Sequence, residues 1–147
     1  MKISIITQSS YEGVNYGICE RIKEAITESN NNLVLIFENP EKVDEKSVLS
    51  SDRIIMVVPE WNRSFPFTFK KMIDDSGWPS FFKNKEVMLV GTSNTGYGNV
   101  LGTQHLMQIL QFCDSKVYPK LLTIPLIKER LEKDLPRVIV ESKNFLK

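Results

Sequence analysis

The stretch Ile54–Asp75 reads IIMVVPEWNRSFPFTFKKMIDD and joins an apolar run to a polar loop without a break. Ile54–Val58 is an unbroken apolar segment of the kind that forms a strand buried on both faces of a parallel sheet. Pro59 ends this run, and the residues that follow bring a carboxylate, an indole, an amide, a guanidinium and a hydroxyl. Because ligands of open α/β sheets bind beyond the carboxyl ends of the strands, the loop is predicted to border a binding site.

A helix is predicted directly after this loop. Ser64 is a candidate N-cap, and Pro66 is tolerated in a first helical turn. The apolar residues Phe69, Met72 and Ile73 then recur at helical spacing. Strand, loop and helix therefore form one βα unit.

The segment Pro59–Pro66, PEWNRSFP, resembles the PE[YW]N-x-S-x-P signature of the NAD(P)H-dependent FMN reductase family, which includes quinone and chromate reductases. The alternative is a chance strand–loop–helix joint. The resemblance implies a bound FMN cofactor, NADPH or NADH as donor, and a quinone, a flavin or a similar small molecule as acceptor. It also implies an enzyme whose chemistry is carried by the cofactor, so no catalytic residue of the protein is expected.

Four other segments have the composition of strands, and helical patterns separate them. The strands are Lys2–Thr7, Leu33–Phe37, Val87–Val90 and Val117–Ile124. Pro119 interrupts the last of them, which therefore suits an edge better than the centre of a sheet. The final helix, Ile127–Phe145, is predicted as one piece or as two pieces divided near Pro136.

This alternation predicts an α/β fold with a parallel sheet and right-handed crossovers. Five such units make a flavodoxin-like doubly wound, five-stranded parallel sheet in the order 2-1-3-4-5, in three α/β/α layers. Neither an internal repeat nor a linker is visible, so residues 1–147 are predicted to form one FMN-binding domain.

The composition is that of an ordinary globular protein of 147 residues with a formal net charge of +1. Without a long basic or acidic block, neither nucleic acid nor a membrane is expected as a partner. The segment MKISIITQSS has too short an apolar run for a signal peptide or a membrane span, so a cytoplasmic location is expected. Cys19 and Cys113 match no metal or redox spacing and are interpreted as buried packing residues.

The loop after the first strand carries hydroxyl and amide groups just ahead of a helix. Such groups, with the unpaired N–H groups and the positive dipole end of the helix, can hold a phosphate without a lysine. An ordinary polar βα turn is the alternative. The resemblance makes this the FMN phosphate loop, with Gln8 where a glycine is usual. The predicted phosphate-binding residues are Ser9, Ser10, Asn15 and Tyr16.

The loop after the third predicted strand is expected to pass along the flavin ring. By resemblance, Pro59, Glu60, Trp61 and Asn62 contact the ring and the ribityl chain. An aromatic beside a planar ring contributes stacking or edge contacts. Trp61 has a second interpretation as a surface aromatic at a subunit contact. Arg63 either meets a phosphate of the nicotinamide donor or is solvated.

The loop after the fourth strand is rich in glycine, and glycine lets a backbone approach a flat ring closely. Its N–H groups can meet the carbonyl edge of the flavin, although a flexible turn would have the same composition. Tyr97 either covers the ring or caps the loop. The predicted ring-binding residues here are Ser93, Asn94, Thr95, Gly96, Tyr97 and Gly98.

The sequence offers no sign of a metal site or of acid–base catalysis. His105, the only histidine, has no nucleophile or carboxylate at a recognisable spacing and is interpreted as structural. Six aromatic residues crowd one short segment, which indicates either a subunit interface or a local core. They are Phe65, Phe67, Phe69, Trp78, Phe81 and Phe82. By resemblance, the interface would make a homodimer or a homotetramer.

Two other functions stay open from the sequence. The protein is alternatively an FMN-binding electron carrier or sensor module without NAD(P)H turnover of its own. A third alternative is an interaction module that has the fold without the cofactor and acts through its aromatic residues.

Overall fold

The structure is a computed structural model that describes residues 1–9, 13–30 and 32–147, with only the backbone of residues 29 and 30. The strands are β1 Lys2–Thr7, β2 Leu33–Phe37, β3 Arg53–Pro59, β4 Glu86–Thr92, β5 Lys116–Val117 and β6 Leu122–Ile124. The helices are α1 Val14–Asn30, α2 Glu45–Leu49, α3 Phe67–Asp74, α4 Val100–Phe112 and α5 Ile127–Phe145, with a short 3-10 helix at Pro40–Lys42.

All strand pairs in the sheet are parallel, in the order β2-β1-β3-β4-β5, with β6 also paired to β4. This confirms the predicted order. The fifth strand is broken into two short pieces, because β5 pairs with the start of β4 and β6 with its end. Pro119 lies in the gap between them, where its missing N–H interrupts no ladder.

Apolar side chains of the sheet divide between two cores, one on each face. Ile55 and Val57 pack in the core that contains residues of α1 and α5. Met56 and Val58 pack in the core that contains residues of α3 and α4. Since successive side chains of a strand point to opposite faces, the whole apolar run of β3 is buried, as predicted.

The start of α3 differs from the sequence-based expectation, whereas the last helix matches one of its two predicted alternatives. Ser64 does not cap α3, which begins at Phe67 with Pro66 at the cap position and without a side-chain cap hydrogen bond. The backbone of Ser64 is instead paired with Trp61. The helix α5 is continuous, although Pro136 lies inside it.

Both cysteines are free and buried. Burial raises the pKa of the Cys19 thiol from its ordinary value of 9.0 to about 12, so this thiol stays protonated at neutral pH. Within the described residues, no helix combines the length and the apolar character that crossing a membrane requires. The same part of the chain has no group of three or more His, Cys, Asp or Glu side chains that could hold a metal ion.

Candidate functional site

The loops after β1, β3 and β4 meet beyond the carboxyl ends of these strands, and the first turn of α5 joins them. Between them lies a cleft of about 380 Å³. This volume falls in the range of small-molecule and cofactor sites. The cleft is lined by Ser9, Val14, Asn15, Pro59, Glu60, Trp61, Thr92, Ser93, Asn94 and Ile127.

Half of the predicted cofactor-binding residues line this cleft: Ser9, Asn15, Pro59, Glu60, Trp61, Ser93 and Asn94. A second group lies nearby in the sequence without lining it: Tyr16 in the first turn of α1, and Asn62, Thr95, Gly96, Tyr97 and Gly98 in the loops after β3 and β4. Ser10 lies outside the described residues. Val14, Thr92 and Ile127 line the cleft without having been predicted. Thr92 could have been found from the sequence, because it is a polar residue at the end of a buried strand. Ile127 could not, because it reaches the cleft only through the packing of α5 against the sheet.

Asn15 ties the start of α1 to the end of β4. It is only 3% exposed, and its Oδ1 accepts a 2.8 Å hydrogen bond from Oγ1 of Thr92. Its Nδ2 makes no hydrogen bond with any described residue. A nearly buried amide that lines a cleft and keeps a free donor is suited to a ligand that brings an acceptor.

A tight two-residue turn shapes the loop after β3. Trp61 N donates to Ser64 O at 2.8 Å, and Ser64 N donates to Trp61 O at 3.0 Å. The residues between them, Asn62 and Arg63, have φ values of 49° and 66°. Left-handed φ at both central positions is the requirement of a type I′ turn. Asn62 therefore shapes the turn that presents Trp61, rather than lining the cleft itself.

The loop after β4 is held together by the hydroxyl of Ser93. Its Oγ accepts hydrogen bonds from Gly98 N at 3.0 Å and from Thr95 N at 3.2 Å. The backbone of Ser93 is fixed as well, since Ile127 N donates to its carbonyl oxygen at 3.0 Å. Ser93 thus sets the shape of the loop and attaches α5 to it.

The two glycines in the middle of this loop have different roles. Gly98 is buried with φ 59°, and a Cβ atom placed on it would lie 2.6 Å from Cβ of Thr123. Gly96 has no heavy atom within 4 Å of the same position. Gly98 is therefore required by packing against β6, whereas Gly96 leaves open space beside the backbone.

Asn99, the residue before α4, fixes the end of β3. Its Nδ2 donates to the carbonyl oxygens of Val58 and Pro59 at 3.1 and 3.0 Å. In addition, Glu60 N donates to Thr92 O at 2.8 Å. The loops after β3 and β4 are consequently cross-linked by three hydrogen bonds.

Two charged side chains, exposed Arg63 and half-buried Glu60, join the same loops. The Cζ atom of Arg63 lies 4.8 Å from the ring centroid of Tyr97, within cation–π distance. The Glu60 carboxylate accepts a 3.3 Å hydrogen bond from Oγ1 of Thr95. Arg63 and Glu60 thus lie in the loop after β3, and each contacts a residue of the loop after β4.

A sequence model of one protein family, described as NADPH-dependent FMN reductase, matches residues 1–128. The chain belongs to this family. FMN is therefore its cofactor and a reduced nicotinamide its electron donor, as the resemblance at Pro59–Pro66 implied.

Solved structures that resemble this FMN reductase family member include enzymes and flavodoxins. FerB, a flavoenzyme NAD(P)H:(acceptor) oxidoreductase from Paracoccus denitrificans, has a TM-score of 0.76 at 14% identity, over 98% of this chain and 96% of FerB. The NADH:FMN oxidoreductase EmoB in its apo form has a TM-score of 0.79 at 12% identity, over 97% of this chain and 86% of EmoB.

Flavodoxin 1 from Bacillus cereus has a TM-score of 0.78 at 19% identity, over 99% of this chain and 97% of the flavodoxin. At these identities the similarity shows the fold, which is flavodoxin-like as predicted.

The cleft of this FMN reductase family member fits the cofactor of its family. Val14, Trp61 and Ile127 provide apolar and aromatic walls for a flat conjugated ring. The free Nδ2 of Asn15 offers a donor to a ligand with acceptor oxygens. Ser9 and the first turn of α1 add a hydroxyl and helix N–H groups, which suit a phosphate.

The aromatic residues after β3 divide between core and surface. Phe65, Phe69 and Phe82 are buried and Phe81 is partly buried, so a local core accounts for these rings. Phe67 and Trp78 are exposed. His105 is exposed, with its ring centroid 5.4 Å from that of Phe65.

Proposed function

We propose that this protein takes a hydride from NADPH or NADH onto bound FMN and passes the electrons on to a quinone, a flavin or a similar small acceptor. The observation that carries this proposal is the cleft between the loops after β1, β3 and β4. Bound FMN supplies the hydride and electron chemistry, while the protein binds and orients the reactants.

Different residues around the cleft bind the phosphate and the ring of FMN. Ser9, Ser10, Asn15 and Tyr16, with the N–H groups at the start of α1, hold the phosphate. Pro59–Trp61 and Ser93–Asn94 frame the flavin ring, and Asn62 and Thr95–Gly98 belong to the two loops that carry them. The cross-links through Asn99 support this division, because they hold the ring-binding loops in one arrangement before the ligand arrives. The rigid frame keeps the ring position constant while donor and acceptor take turns.

The first test is an FMN titration of the deflavinated protein, followed by flavin fluorescence. We expect saturable binding of one FMN per chain. Absence of binding would reject the proposed site. The second test is steady-state oxidation of NADPH and NADH with a quinone or ferricyanide as acceptor. A protein that binds FMN and oxidises neither donor would be an electron carrier or a sensor module instead.

We also propose that the chain forms a single domain and acts in the cytoplasm. One sheet, with cores on both faces that draw residues from β1 to α5, supports the first statement. Free thiols at Cys19 and Cys113 support the second, because disulfides are rare in that compartment.

A second copy of the chain is the proposed partner of the surface formed by α3 and α4. Trp78 and Phe112 are 71% and 74% exposed, and their ring centroids lie 5.5 Å apart. Lys70 and Asp74 form an ion pair on the adjacent face of α3. Across a two-fold axis beside α3, Lys70 of one copy would face Asp74 of the other. The surface is therefore complementary to itself in charge.

Light scattering after size exclusion tests the oligomer. Phe112→Asp is expected to convert a dimer or tetramer into a smaller species, because it places a charge in an apolar contact. The matched control is Val140→Asp on α5, which is also exposed (56%) but lies away from this surface. A wild-type monomer, or equal behaviour of both variants, would reject the proposed interface.

A further inference from the structure

The pair Arg63–Tyr97 joins the two loops that line the cleft after β3 and β4, and the proposed FMN-binding roles do not account for it. Neither residue lines the cleft, yet each follows residues that do: Arg63 comes two positions after Trp61 and Tyr97 three after Asn94. The guanidinium lies over the Tyr97 ring at 4.8 Å. The pair therefore spans from one ring-binding loop to the other at the rim of the site.

No carboxylate of the described residues balances the charge of Arg63. No salt bridge to Arg63 exists among the described residues, in contrast to Arg21, Arg53 and Arg130, each of which pairs with an acidic side chain. Glu60, in the same loop, accepts a hydrogen bond from Thr95. Arg63 consequently offers an exposed, unpaired cation to an anion that approaches the cleft.

The position of the guanidinium is restricted before any ligand binds. Its backbone is set by the turn Trp61–Ser64, which is closed by two hydrogen bonds, and its side chain rests on an aromatic face. A free arginine loses rotamer entropy when it binds an anion, and contact with Tyr97 reduces that loss. Planar, bidentate donors make arginine the preferred partner of a phosphate.

We propose that Arg63, positioned by Tyr97, recognises the 2′-phosphate that distinguishes NADPH from NADH. This inference rests on the proposed function, since it assigns the donor of that same site. The phosphate is the only chemical difference between the two donors, so a cation that contacts it favours NADPH over NADH. Tyr97 acts as a positioning residue, because its ring lies against the guanidinium.

The test compares binding of adenosine 2′,5′-bisphosphate and 5′-AMP to the FMN-loaded protein by calorimetry. These probes differ only in the 2′-phosphate. The wild type is expected to bind the bisphosphate more tightly, and Arg63→Gln should reduce this ratio by about 10- to 100-fold, the range of a charge-assisted hydrogen bond. Arg63→Lys should give an intermediate ratio, because it keeps the charge and loses the bidentate geometry.

Two charge-matched controls accompany these variants. Arg21→Gln removes the same charge from the surface of α1, and Lys128→Gln removes the cation next to cleft residue Ile127. Both should keep the wild-type ratio. A wild type that does not discriminate, a ratio unchanged in Arg63→Gln, or a loss confined to Lys128→Gln would each overturn the inference.

The donor reaction separates this inference from the proposed function. In steady-state assays, the ratio of kcat/KM for NADPH to that for NADH should fall in Arg63→Gln in parallel with the binding ratio. If wild-type protein binds FMN and prefers the bisphosphate but oxidises neither donor, the proposed function fails while the anion site stands. If it oxidises both donors equally well, the proposed function stands and the inference fails.

Discussion

Thr92 Oγ1 donates a 2.8 Å hydrogen bond to Asn15 Oδ1, although the two residues are 77 positions apart in the chain. Both are nearly buried at the inner wall of the cleft. The bond connects the start of α1 with the end of β4. The parts of the site that we propose to bind the phosphate and the flavin ring are thereby fixed relative to one another by side chains as well as by the sheet.

The first prediction concerns this bond. Thr92→Val should lower the free energy of unfolding by about 1–3 kcal/mol, because it leaves the buried Oδ1 of Asn15 without a donor. FMN affinity should fall as well, since Asn15 is then less well oriented. Thr92→Ser keeps the hydroxyl and is expected to bind FMN like the wild type. Denaturant unfolding and FMN titration measure both effects, and equal behaviour of the two variants would contradict the assignment.

The second prediction compares the two glycines of the loop after β4. Gly98→Ala should destabilise the protein by about 1–3 kcal/mol, because alanine is strained at φ 59° and its Cβ would overlap Thr123. Gly96→Ala should change the stability by less than about 0.5 kcal/mol, since nothing lies within 4 Å of the new atom. Thermal unfolding of both variants decides the matter. Similar melting temperatures would argue against this packing.

The third prediction separates Trp61 from its neighbour. Trp61→Ala should weaken FMN binding about tenfold, because an aromatic wall of the cleft is lost. Asn62→Gly should preserve it, since glycine accepts the left-handed φ of 49° that the turn requires. Both dissociation constants come from one fluorescence titration. Unchanged affinity in Trp61→Ala would remove this residue from the site.

The fourth prediction follows from the raised pKa of Cys19. The folded protein keeps this thiol protonated to about pH 12, whereas the unfolded chain releases the proton near pH 9. The stability associated with Cys19 is therefore complete below pH 9 and is lost as the pH rises from 9 towards 12. Cys19→Ala should show a flatter decline of unfolding free energy over this window. A slope in Cys19→Ala equal to that of the wild type would contradict this assignment.

Much of the fold could be predicted because it depends on local pattern. The apolar run Ile54–Val58 was sufficient to place a central strand, since only a strand covered by helices on both sides buries such a run completely. The loops at the carboxyl edge then followed from the parallel topology.

The remaining features depend on contacts between distant segments. Ser64 has the chemistry of an N-cap, but its backbone is taken by the turn with Trp61, and no local pattern reveals that competition. Ile127 lines the cleft because its N–H bonds to Ser93, a contact made by the docking of α5. Gly98 was predicted to contact the flavin because its loop is rich in glycine. In the structure, a Cβ atom at this position would lie too close to Thr123, which explains why the residue is glycine.

Arg63 occupies the second central position of its turn at φ 66°, where the preferred pair of residues is Asn-Gly. A side chain in this left-handed conformation costs roughly 1–2 kcal/mol relative to a right-handed one, and glycine avoids most of that cost. The protein is thus less stable than it would be with glycine, in return for a guanidinium beside its cleft. Stability and donor selection oppose each other at this one position, so Arg63→Gly should melt at a higher temperature and discriminate less between the two nicotinamides.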